Sequence, residues 1–187
     1  MTAPSTRFTV LQRTLHWLMA VAIIAMLFIG VGMVSTVMPK YVPLLATHKT
    51  LGIAILALAL IRLAVRLVSG APPLPASLPP LMKLGAHLSH YGLYALMIGM
   101  PLIGWGMLSA GGYPVVLYGG VRLPSILPQS DGLHALLQQG HAVLAFVFFG
   151  VILLHVAAAL FHALVRRDGV FESMAPVPAR RDVAPAE

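Results

Sequence analysis

The sequence predicts an all-α membrane protein, a bundle of four transmembrane helices with both N- and C-termini cytoplasmic. Three observations predict it. The chain of 187 residues is 59% hydrophobic and only 9% charged, with mean hydropathy +0.91, whereas a soluble domain is nearer half apolar and a quarter charged. Its apolar residues gather into four blocks, each long enough to cross a hydrocarbon core of about 30 Å. The acids Asp131, Asp168, Glu172, Asp182 and Glu187 all fall outside those blocks.

The first segment runs from about Leu15 to Met38 and is closed by Pro39. Its apolar run is too long for a cleaved signal peptide, and no small-x-small site follows it closely. The second runs from about Thr47 to Val68. It is uninterrupted only from Leu51 to Ile61, so Arg62 must face protein or snorkel to the interface. The third runs from about Lys83 to Leu108, with Pro101 as an expected kink. The fourth runs from about Leu133 to Val165. The Pro-rich stretch 71–80 reads as a stiff, extended link, and the loop 109–132 is rich in Gly and Pro. Residues 1–174 are expected to form the membrane domain and residues 175–187 a disordered cytoplasmic tail.

Arg7, Arg13, Arg62, Arg66, Lys83, Arg166, Arg167, Arg180 and Arg181 flank one side of the membrane, against Lys40, Lys49 and Arg122 on the other. This asymmetry places both termini and the 69–82 connection inside. Topology signals and anionic headgroups account for the pI of 10.4, so the expected surroundings are a lipid bilayer, with no nucleic acid. The absence of cysteine excludes disulfides, iron–sulfur clusters, thiolate zinc sites and thiol catalysis.

His134, His141, His155 and His162 follow one another at steps of 7, 14 and 7 residues, close to whole helical turns, so they share one face of the fourth segment. His141 and His155 bracket an uncharged block and lie about 21 Å apart along the axis. The 21-residue alternatives, His134 with His155 or His141 with His162, span about 31 Å, the whole hydrocarbon core. A histidine inside a membrane is costly unless satisfied, and is by default a functional hypothesis. Topology places His48 at the outer depth with His141, and His16 at the inner depth with His155.

Two imidazoles facing each other across a bundle suit a b-type haem, whose apolar faces pack on aliphatic and aromatic side chains. Two stacked haem b groups are therefore expected, with His16 and His155 on the inner iron and His48 and His141 on the outer. With both axial positions filled, the expected task is one-electron transfer. Arg13, Arg62, Arg66 and Lys83 inside, and Lys49 and Arg122 outside, are candidate propionate partners. Gly30, Gly52, Gly92, Gly99, Gly140 and Gly150 either admit a flat macrocycle or, more ordinarily, serve helix packing. His87 and His90 are open to ligation, to orienting a propionate, to binding a quinone, or to a plain interfacial role. His134 and His162 read as solvated or supporting residues at the interfaces. Trp17, Trp105, Tyr41, Tyr113 and Tyr118 read as an interfacial aromatic belt.

Taken in order, His16-Trp17, His48-Lys49 with Gly52, Arg62 and Arg66 before the Pro-rich link, His87-Leu88-Ser89-His90, and then His141, His155 and His162 resemble the bacterial cytochrome b561 family over roughly Arg7 to Met174. The resemblance implies a di-haem, four-helix protein of the bacterial inner membrane, with the same ligand pairs. It also implies electron transfer linked to a quinone, ubiquinone in the best understood relative, which oxidises periplasmic superoxide. His87, His90 and His162 are quinone or supporting candidates on that basis, and no catalytic acid, base or nucleophile is visible. The alternative is a non-enzymatic cytochrome b subunit serving a periplasmic redox protein docked on the 111–131 loop. A His-lined metal-ion transporter fits less well, since the predicted spans hold no carboxylate.

Overall fold

The computed structural model describes residues 7–37 and 39–176. Met38, the expected end of the first span, and the tail 177–187, with Arg180, Arg181, Asp182 and Glu187, lie outside the described residues. Four long helices dominate: α1 (Val10–Val34), α2 (Tyr41–Ser69), α3 (Pro80–Ala110) and α4 (Asp131–Phe161). Each is long and apolar enough to cross a membrane, with window hydropathies of 2.5, 2.4, 1.5 and 2.7. The protein is a multi-pass helical bundle of the membrane.

The helix ends differ from those of the apolar blocks, and caps set several of them. Thr9 and Gln12 form a reciprocal capping box that starts α1 before the apolar run, and Ser35 closes it at Val34. Pro43 sits in the first turn of α2, where its missing N–H costs nothing, and Gly70 ends that helix at a φ of 68°. Pro80 opens α3, which continues through Pro101 as one helix. Ser130 caps α4 by accepting from the Leu133 N–H, and this draws Asp131 into the first helical turn rather than the loop. A π-helical turn, His162–Arg166, follows α4, and a short α5 (Val170–Met174) ends the described chain.

Close packing runs α1 on α2, α2 on α3 and α3 on α4, while α4 stands off from α1 and α2. Each long helix gives one residue to the buried cluster Met19, Ala59, Met97 and Phe148. Phe148 is seven residues from both His141 and His155, so this plug sits between the two histidine depths. Phe146 (79% exposed) and Leu154 (71%) point outward from α4, as lipid rather than water demands.

The two ends of the bundle differ. At one, Gln12 Nε2 donates to the Gly70 carbonyl (2.8 Å) and the Phe8 N–H to Ser173 (3.1 Å), so the N-terminal flank, the 70–79 link and α5 lie together. Ala175, expected to begin a disordered tail, is instead buried, and its carbonyl accepts from Arg7 and Arg13. At the other end, β1 (Val115–Val116) and β2 (Arg122–Leu123) form a small antiparallel hairpin around a 3-10 turn at Tyr118–Gly120. Tyr118 hydrogen-bonds Thr47 and Thr50 on either side of His48, so the hairpin leans over the start of α2.

Truncating Phe148 to Ala should leave a cavity in the plug and cost about 3 kcal/mol or more. Thermal unfolding in detergent should show it as a lowered midpoint, while Phe146→Ala on the lipid face should change little.

Candidate functional site

The histidines fall at two depths. In the outer layer the rings of His48 (α2) and His141 (α4) are 6.1 Å apart between centroids, with planes at 68°. In the inner layer His16 (α1) and His155 (α4) are 6.2 Å apart at 72°. Both pairs bridge helices whose backbones stand apart, so the side chains meet across open space rather than through helix contact.

These rings are poorly satisfied by protein alone. Among the described residues, Nδ1 of His16 and Nδ1 of His48 are buried and lack a hydrogen-bond partner. A buried polar atom in that state costs about 1–3 kcal/mol. The other histidines contrast with them. His134 Nδ1 donates to the Met107 carbonyl (2.8 Å), pinning the start of α4 to the end of α3. His90 Nδ1 donates to Ala86 (2.7 Å). The unsatisfied rings belong to the pairs.

The separation of the paired rings matches what a metal held by both would set. Imidazole–metal bonds of about 2 Å on each side of one atom set ring centres about 6 Å apart. Most of the singled-out glycines front open space. Gly30, Gly92, Gly99, Gly140 and Gly150 are half-buried, yet a Cβ built on any of them meets nothing within 4 Å. Helix packing, the ordinary reading of these glycines, therefore does not explain them. Only Gly52 of the six abuts a neighbour, Met26, at 3.7 Å. Gly104, which the sequence did not single out, is the one that matters to a ligand: a Cβ there would lie 3.4 Å from His141 Cε1. The donor set of neutral imidazoles in an apolar bundle suits haem iron.

The inner layer is the more polar. Arg62 lies over the Tyr94 ring (5.8 Å) and Arg66 over Phe8 (5.2 Å), and these four line a small pocket with Gln12 and Met174. Arg62 thus faces protein, and Tyr94 is a partner that hydropathy could not reveal. Arg13 is already engaged with Ala175. Lys83 donates to the Ala76 carbonyl at 3.5 Å. The outer cations divide: Lys49 is half-buried beside His48, while Arg122 is exposed on β2. His87 stacks on Tyr91 (6.5 Å) and is exposed, whereas His90 approaches His155 to 5.6 Å. The indoles of Trp17 and Trp105 donate to Met174 and Pro124, one at each end of the bundle.

His162, read as a solvated or supporting residue, is buried and bound to a carboxylate. Its Nδ1 lies 2.9 Å from Asp168, which also accepts from Arg166 Nε (2.9 Å) and the Val170 N–H. Arg167 at φ 50° and Gly169 at φ 80° turn the chain back so that Asp168 reaches its partners. The Asp168-Gly169 pair was the available sequence signal. Burial pushes the Asp168 carboxyl up, but the hydrogen bonds from Arg166, His162 and Val170 together outweigh it and hold it below the usual carboxylate range.

Such a bundle, with imidazoles paired between membrane helices, defines a membrane-embedded haem-b electron carrier. The profile of prokaryotic cytochrome b561 matches residues 7–176, and the chain belongs to that family. It is similar to a probable superoxide oxidase CybB of Yersinia pestis, 29% identical over 171 residues covering 91% of this chain and 96% of that one. It is also similar to two proteins of Escherichia coli strain K12. Cytochrome b561 homolog 2 is 28% identical over 171 residues (90% of each chain), and cytochrome b561 homolog 1 is 27% identical over 178 residues (91% and 97%). The protein is therefore a bacterial inner-membrane cytochrome b of electron transport, a family whose partners are membrane quinones and redox proteins.

Because folding lowers the Asp168 pKa, its stabilisation is full above the unfolded value near 4 and is lost as pH falls through the lower folded value. Asp168→Asn should lower stability by about 1–3 kcal/mol at neutral pH. The gap between variant and parent should narrow in unfolding midpoints measured toward pH 3.

Proposed function

We propose that the chain binds two haem b groups and carries electrons from the periplasmic side to ubiquinone. His48 and His141 would hold the outer haem, His16 and His155 the inner. The observation that carries this reading is the repetition of one geometry: two imidazole pairs at 6.1 and 6.2 Å, each on α4 and a helix that stands off from it. Haem bound at each depth would supply one-electron chemistry. The chain's own part would be to hold each haem through its paired histidines, exclude water with the Met19, Ala59, Met97 and Phe148 plug, and set the field with cations. Arg62 and Arg66 are the inner propionate partners that remain near the interior, and Lys49 is the outer one.

Orientation follows from charge. The end bearing Arg7, Arg13, Arg62, Arg66, Lys83, Arg166 and Arg167 is assigned to the cytoplasm, and the hairpin end, with Lys40, Lys49 and Arg122, to the periplasm. The relative named a probable superoxide oxidase supports superoxide as donor. Two superoxide anions would give two dioxygen, while one quinone takes two electrons and two protons to become quinol. A small anion is drawn by cations near its entry, and Lys49 and Arg122 are the outer candidates. The quinone candidates are at the opposite end: His87 at the exposed surface, His90 beside His155, and His162 on its carboxylate.

A second reading has its own support. Exposed Tyr113, Tyr118, Val121 and Arg122 on and beside the hairpin, over the outer histidine pair, form a surface on which a periplasmic redox protein would dock. In that case the chain would be a carrier subunit rather than an enzyme.

Mixing the oxidised protein with superoxide in a stopped-flow instrument separates the two readings. Rapid haem reduction, followed by quinol formation when ubiquinone is present, is expected of the first. No reduction by superoxide would leave the carrier reading. Lys49→Ala with Arg122→Ala should slow reduction by superoxide about tenfold and flatten its dependence on ionic strength. His155→Ala should remove one haem by pyridine haemochrome count and spare the other; loss of neither would break the assigned pairing.

A further inference from the structure

The inner layer holds three imidazoles, and a six-coordinate iron takes two. We propose that His90 is an alternative axial ligand of the inner haem, able to take the place of His16 opposite His155. The proposal rests on the reading that a haem sits at that depth on His155.

Four observations carry it. The His90 ring lies 5.6 Å from that of His155, close to the 6.2 Å and 6.1 Å of the two assigned pairs. Both imidazole–imidazole contacts of this layer share His155, which makes it the hub and the other two competitors for one position. The tautomer of His90 is fixed as well. A carbonyl oxygen only accepts, so the 2.7 Å bond to Ala86 places the proton on Nδ1 and leaves the Nε2 lone pair free. Metal-binding histidines are commonly held this way, by a hydrogen bond from the other ring nitrogen to a backbone carbonyl. His16 lacks that support, since its buried Nδ1 has no partner among the described residues. Finally, His90 stays exposed although its ring lies beside that of His155. It stands on α3, which packs closely against α4.

Taking His90 in place of His16 would exchange one imidazole nitrogen for another at the iron, with no net transfer of electrons or protons. It predicts an asymmetry that simple bis-histidine pairing does not: His155 is indispensable to the inner haem, and His16 is not.

The test is a haem count and a reduced visible spectrum on detergent-purified protein. Wild type, His16→Ala and the double variant His16→Ala/His90→Ala should hold two, two and one haem per chain, with every bound haem low-spin. The outer haem, built on His48 and His141, reports that each variant has folded. One haem in His16→Ala, a high-spin inner haem there, or two low-spin haems in the double variant would each overturn the proposal. If His16→Ala loses both haems, His16→Gln, closer to the parent in size and polarity, carries the same comparison. Two haems in His155→Ala would instead refute the underlying placement of the inner haem, so the two failures are distinguishable.

Discussion

The whole arrangement depends on the cost of leaving a polar ring unsatisfied inside a membrane. An imidazole taken from water into an apolar bundle loses its hydrogen bonds, and lipid offers none in return. Here two pairs of rings meet across the gap between α4 and its distant neighbours, with buried nitrogens that protein does not serve. The pairs make sense together with a group that ligates both members. On this account haem binding and folding are linked: the group would stabilise the assembled bundle because only that state presents two imidazoles to one iron.

The polar details at each end follow from the same constraint. Between the two depths the chain places an apolar plug drawn from all four helices. Beyond the inner depth it spends its few charges within short reach of each other, with Arg62 on Tyr94, Arg66 on Phe8, and Asp168 between His162 and Arg166. Beyond the outer depth the hairpin folds back on α2 through Tyr118, with Lys49 beside His48 and Arg122 exposed. A guarded inner end and an open cationic outer end give the molecule a direction.

The four spans and the depth pairing were legible in the sequence because both rest on helical periodicity. Steps of 7 and 14 residues hold their face whatever the surroundings, and alternating topology fixes depth. The helix ends were not legible from hydropathy, since Thr9, Gly70 and Ser130 lie beyond the apolar runs and act through caps and backbone conformation. The approach of His90 to His155 depends on how α3 is rotated against α4, which packing decides and the α3 pattern alone does not. The His162–Asp168 bond needed a π-helical turn and a left-handed Arg167, a local geometry no periodicity announces. The six glycines were visible, but only the structure separates Gly52, which touches Met26, from five that front open space.

The most direct test of the central claim is the number of haems in the purified protein. The account predicts two haem b per chain by pyridine haemochrome, with sharp low-spin bands on dithionite reduction. A correctly inserted protein that binds one haem or none would contradict it, because one of the two imidazole pairs would then be buried without the group that explains it.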